Sequence, residues 1–93
     1  MRKTSFDRKK ILRENVVIHC DTEEKANALL HWANEQGLTW YFSGDSFLDY
    51  NNWDHFEEDT CYGICGGFYG DLEHYNKYPF FMVLKYEDVI TKS

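Results

Sequence analysis

The stretch Asp21–Gly37, DTEEKANALLHWANEQG, constrains this chain more than any other. Ala26, Leu29, Leu30 and Ala33 fall at the i, i+3, i+4, i+7 positions of one helical face. Asp21 with Glu24 three residues on has the form of a capping box, and Thr22 is the alternative cap. Glu23 and Glu24 place negative charge at the positive end of the helix dipole. Gly37 can take the left-handed conformation that ends a helix. Such a helix must bury its apolar face, and the rest of the chain offers short, aromatic, β-like segments to receive it.

Asn15–Cys20, NVVIHC, reads as the strand before the helix, with Val16, Ile18 and Cys20 on one face and Val17 and His19 on the other. Leu38–Phe42, LTWYF, reads as the strand after it, and Ser43–Ser46 as a turn. Residues 47–59 have no clean period and read as a loop with a short strand or helical turn. Thr60–Cys65 is a third strand, ended by Gly66 and Gly67. Asp71 can cap a short helix through Asn76, and Pro79 stops it. Phe80–Tyr86 is apolar on both faces and reads as a central strand, with a last turn at Asp88–Ile90. The order β-α-β-β-(α)-β predicts a single α+β domain with a mostly antiparallel sheet and one main helix packed on one face.

Charge divides the chain. Residues 1–14 carry six Lys/Arg against two acids, and residues 15–93 carry four against fourteen. Residues 1–13 are therefore read as a basic N-terminal extension and 14–93 as the domain. Within the extension, Ser5 could cap a helix through Arg13, or Ile11 and Leu12 could begin an edge strand. The basic head could touch nucleic acid or an anionic membrane, but a solvated terminus is the plainer reading. The acidic body repels phosphates, which disfavours direct nucleic-acid binding, and attracts basic surfaces. No run approaches the ~20 apolar residues of a membrane span and no apolar stretch follows the basic start, so the expectation is a cytoplasmic protein with no membrane partner. Three cysteines fit reduced thiols there.

The chemical signals lie in the second half. Trp53–Asp59, WDHFEED, follows Asp45 and Asp49. Carboxylates with a histidine are metal-ligand types, and Asp54, His55, Glu57 and Asp59 could in principle serve a metal-dependent nuclease, but their spacing matches no template. No metal and no cofactor is expected. A solvated acidic loop is the plain reading. The functional one is a patch offered to a basic partner, with Asp45, Asp49, Asp54, Glu57, Glu58 and Asp59 supplying charge and Trp53 and Phe56 as aromatic anchors. Cys61 and Cys65, if on one strand, lie about 13 Å apart at ~3.3 Å per residue, too far for a disulfide or one zinc ion. An alternative is a small-ligand binder that sequesters a nucleotide signal. Trp40, Tyr41, Phe68 or Tyr69 would stack the base there, Gly66 and Gly67 would allow close approach, and the basic head would line the site. Seventeen aromatics among 93 residues exceed what one small core encloses. With one sheet face left open, at Val17, His19, Thr39, Tyr41 and alternate residues of Phe80–Tyr86, a homodimer is expected.

The run ENVVIHCDTEEKANALLHWANEQGLTW, then TCYGI, then YGDLEHY and a closing apolar strand, resembles a family of small proteins encoded by phages and prophages of Firmicute bacteria. The pattern is carried by Cys20, Thr22, Glu23, Glu24, Leu29, Leu30, Gly37, Trp40, Thr60, Cys61 and Tyr62, over about residues 14–90. The resemblance implies a phage gene product in bacterial cytoplasm and attaches no catalytic activity. The expectation is then an acidic, non-enzymatic protein that binds and inhibits a host or bacterial-defence protein, of anti-CRISPR or other anti-defence type.

Overall fold

The computed structural model describes residues 5–91. In chain order the elements are β1 (Ser5–Phe6), α1 (Arg8–Ile11), β2 (Val16–His19), α2 (Glu23–Glu35), β3 (Thr60–Gly63), β4 (Phe68–Asp71), α3 (Leu72–Lys77), β5 (Met82–Lys85) and β6 (Ile90–Thr91). The main sheet has the order β4-β3-β2-β5. β2 runs antiparallel to β3, with Ile18 opposite Tyr62, and parallel to β5, with Ile18 opposite Leu84. β3 and β4 are antiparallel from Thr60–Asp71 to Gly63–Phe68. β1 and β6 form a separate two-stranded pair. This is an α+β fold with an antiparallel-dominated sheet and one main helix.

The periodicity of α2 is realised. Ala26, Leu29, Leu30 and Ala33 are buried in one cluster with Val16, Ile18, Cys20, Trp40, Phe47 and Tyr62. Each large apolar side chain so enclosed contributes about 1.5–3 kcal/mol. The cap is Thr22, whose Oγ1 accepts from the Lys25 amide at 3.2 Å. Asp21 is not the cap. Its carboxylate accepts from the Lys25 ammonium at 2.7 Å instead. Gly37 has φ +82° and ends the helix as expected.

Four other expectations are corrected. Leu38–Phe42 forms no strand and makes one isolated bridge, Thr39 to Ser46. Its amides are spent in a tight turn, Trp40 N–H to the Asp45 carbonyl and Gly44 N–H to the Trp40 carbonyl, and Tyr41 N–H reaches the Gly67 carbonyl. Next, β5 is an edge strand and not a central one. Leu84 packs on the main core and Val83 on a second cluster, so its apolar character reports two covered faces, not two paired neighbours. Third, the face opposite α2 is not left open in the single chain. Val17, Cys61 and Tyr75 of α3 are buried there with Phe68, Leu72, Phe81 and Val83 against them. Tyr41 is nonetheless 85% exposed. Last, Cys61 and Cys65 do not share a strand face, because β3 stops at Gly63; Cys61 is buried and Cys65 exposed.

The basic segment joins the body where it is described. Asp7 caps α1 by accepting from the Lys10 amide, and its own N–H bonds the Val89 carbonyl at 2.7 Å. Phe6 and Ile11 belong to the main core. Arg2 and Lys3 lie outside the described residues. Among the described residues no helix is long and apolar enough to cross a membrane.

Candidate functional site

The segment between α2 and β3 is held by buried aromatic side chains that keep a polar tip for its backbone. Trp40 is fully buried and packs against Phe47 at 4.7 Å between ring centroids and against Tyr50, Tyr62 and Tyr69 at 5.7–6.2 Å. Its Nε1–H donates to the Tyr50 carbonyl at 3.1 Å. The Tyr62 hydroxyl, also buried, donates to the Asn51 carbonyl at 2.7 Å. Burial raises the Tyr62 pKa well above the ordinary phenol value, so the group stays a neutral donor. Asn51 then clamps the loop to α2. Its Nδ2 donates to Glu23 Oε2 at 2.9 Å and Asn27 Oδ1 at 2.8 Å, while its Oδ1 accepts from the Trp53 amide at 3.0 Å.

Downstream, the chain makes two 3₁₀ turns, Trp53–His55 and Glu57–Asp59. Thr60 Oγ1–H donates to the Glu57 carbonyl at 2.7 Å. His19 Nε2 lies 2.7 Å from the Glu58 carbonyl, and since a carbonyl only accepts, that nitrogen carries the proton. Asn52 and Glu57, with φ of +57° and +49°, are the non-glycine residues in the left-handed region among those described. Holding Glu57 there costs about 1–2 kcal/mol, which the surrounding hydrogen bonds offset.

This scaffold presents the predicted partner residues unequally. Asp45, Asp49, Asp54, Glu57, Glu58 and Asp59 are all exposed. Among the described residues none of the six forms an ion pair; the pairs found join Lys25 to Asp21 and Glu87, and Lys77 to Glu73. Asp45 accepts a long hydrogen bond from the Tyr50 hydroxyl at 3.4 Å. Phe56 is exposed, whereas Trp53 is half-buried against the main core. Beside Phe56 runs a chain of rings that sequence reasoning did not assemble. Tyr69 meets His55 at 5.4 Å, and Phe56 and Phe42 each at 6.2 Å.

The other candidates are placed differently. Trp40 has no exposed surface on which to stack a ligand. The Phe68 ring lies over Gly63 and Gly66, and the Gly67 backbone presses on Thr39–Tyr41, so a side chain at any of these glycines would meet its neighbours. Tyr41 and Tyr69 are on the outside of this packing. Asp54, His55, Glu57 and Asp59 do not converge: among the described residues, no three His, Cys, Asp or Glu side chains are placed to hold a metal ion. Cys20 and Cys61 are buried, and burial raises both thiol pKa values, that of Cys61 to about 12.

Two grooves flank the loop. One, of about 520 Å³, runs along α2 between Asn27, His31, Leu48, Asp49, Asn52 and His55. The other, of about 540 Å³, lies toward α3 and is lined by Phe56, Tyr69, Gly70, Asp71, His74 and Tyr75. Asp71, His74 and Tyr75 were absent from the sequence-derived candidates. They come from a separate segment, and only the β3–β4 pairing brings them beside Phe56. No family model, no curated protein and no solved structure matches this chain.

Proposed function

We propose that the chain is a non-enzymatic interaction protein whose loop from Asp45 to Asp59 binds a basic surface of a partner protein. One observation carries the reading: six exposed carboxylates, none ion-paired among the described residues, stand on a loop whose backbone accepts hydrogen bonds from the buried residues Trp40 and Tyr62. Charge that is already positioned loses little conformational entropy on binding and steers a cationic surface toward it. Phe56, against Tyr69, supplies exposed apolar area within that acidic run. The resemblance to phage and prophage proteins gives the reading its setting, the bacterial cytoplasm. The partner is then a host or defence protein that handles nucleic acid, inhibited because the acidic loop occupies a Lys/Arg-lined channel. A second copy is a further element of the proposal, covering the exposed Tyr78, Phe80 and Met82; light scattering at micromolar concentration reads it.

The test is affinity capture from nuclease-treated host lysate with the wild type and with a variant carrying Asp54→Lys, Glu57→Lys, Glu58→Lys and Asp59→Lys. A basic, nucleic-acid-binding protein retained by the wild type, released by salt and lost by the variant supports the reading. Equal retention by both proteins counts against the loop.

A further inference from the structure

We infer that the groove between Phe56 and α3 is a receptor for one arginine side chain of the partner. The inference rests on the reading that the acidic loop meets a basic protein, and it names the contact that anchors it.

The walls are aromatic. Phe56 and Tyr69 stand 6.2 Å apart between centroids with their planes inclined at 53°, and Tyr75 also lines the groove. Gly70 makes this possible, because a Cβ there would meet the Tyr75 ring at 2.8 Å. His74 packs edge-on against Tyr75 at 5.2 Å and lines the groove with it. Among the described residues no Lys or Arg lines the groove.

The second observation concerns Asp71. It occupies the N-cap of α3, where a carboxylate ordinarily turns back onto the first amides, yet its side chain makes no capping hydrogen bond. Asp71 lines both this groove and an adjoining one, which also holds Asp59, Glu73 and Lys77, the last two paired with each other at 3.2 Å. An anion entering here would face like charge. A purely apolar group would strip water from the carboxylate without replacing its hydrogen bonds. A guanidinium satisfies both features, since its plane stacks on aromatic faces and its fork of N–H groups matches a carboxylate. Lysine carries the charge but lacks the plane and the fork.

The experiment titrates ¹⁵N-labelled protein with a nine-residue peptide of alternating arginine and glycine. Matched peptides carry lysine or the neutral isostere citrulline in place of arginine. The expected result is shift changes centred on Tyr69–His74 that saturate with the arginine peptide, are weaker with lysine and vanish with citrulline. Asp71→Asn and Tyr69→Leu should each weaken arginine-peptide binding by roughly three- to tenfold, the first without change in fold. Shift changes confined to residues 45–59, unaltered by Asp71→Asn, would overturn the arginine receptor and leave the loop reading standing. No binding by either cationic peptide would overturn both.

Discussion

The Tyr62 hydroxyl donates a 2.7 Å hydrogen bond to the Asn51 carbonyl, joining the centre of the sheet to the base of the acidic loop. Tyr62 sits on β3 opposite Ile18 and is fully buried. The loop is therefore held from below by the core itself. Removing the hydroxyl should release it. Tyr62→Phe leaves a carbonyl without its donor, which costs about 1–3 kcal/mol. Urea denaturation should show that loss, and amide exchange at Asn51–Trp53 should quicken more than at α2. Unchanged exchange in the loop would mean the bond does not hold it.

Gly67 and Gly44 both have positive φ, +72° and +73°, and they separate two costs. A Cβ at Gly44 meets nothing within 4 Å, so Gly44→Ala carries only left-handed strain of about 1–2 kcal/mol. At Gly67 the Cβ would collide with the Thr39 carbonyl and come within 2.8 Å of the Tyr41 amide. That amide already donates to the Gly67 carbonyl at 2.9 Å. Gly67→Ala should cost about 2–4 kcal/mol, strain and overpacking together. Equal losses in thermal melts of the two variants would show that the Thr39–Tyr41 segment does not lie against Gly67.

The thiols should differ sharply. Cys65 is exposed, while Cys20 and Cys61 are buried with pKa values raised chiefly by burial, Cys61 to about 12 with Asp71 and Asp59 adding to it. Thiolate is the reactive form. A colorimetric disulfide reagent at pH 8 should modify one thiol of the folded protein quickly and all three after denaturation. Two or three fast thiols in the folded state would contradict this packing.

Lys25 links the start of α2 to the turn at Tyr86–Asp88, 2.7 Å from Asp21 and 2.6 Å from Glu87. Its ammonium, by hydrogen bonding, holds both carboxyl pKa values below their ordinary range, and those bonds raise its own above the ordinary lysine value. A depressed carboxyl contributes stability that is complete above the unfolded pKa of about 4 and is lost as pH falls through the folded value. The lysine end is complete below the unfolded pKa of about 10.4 and is lost as pH rises from there through its raised value. The stability difference between wild type and Lys25→Met should thus be small, flat from pH 5 to 9, and shrink below pH 4. It should also shrink in high salt, since these groups are exposed. A difference that grows on acidification would refute the linkage.

The helix was legible because four apolar residues at helical spacing admit one face only. Its cap was less so: Asp21 and Thr22 are adjacent acceptors, and the one that binds Lys25 through its charge is not the one that caps. Leu38–Phe42 has strand composition, but Trp40 must reach the core while its neighbours turn back toward Gly67, and backbone closure of that kind leaves no pattern. β5 misled for a related reason, since apolarity on both faces cannot tell a paired edge from a free one. Phe6 and Ile11 were hidden by the charge around them. At the candidate site the acids and Phe56 were visible as composition. The features that position them were not, because the Tyr50, Asn51 and Glu58 carbonyls that receive the pinning bonds are common to every residue type. Gly70 and Asp71 gained meaning only when β3–β4 pairing set them beside Phe56.

If the loop binds as proposed, the position of its charge, and not the total, governs affinity. The direct measurement compares two variants of equal net charge against the partner retained in the capture experiment, by calorimetric titration at two salt concentrations. One reverses Asp54, Glu57 and Glu58 to lysine; the other reverses Glu14, Glu24 and Glu35, which are exposed outside the loop. The first should lose at least about tenfold in affinity, roughly 1.4 kcal/mol, with most of its salt dependence, while the second should stay within about threefold of wild type. Equal losses in both variants would contradict it.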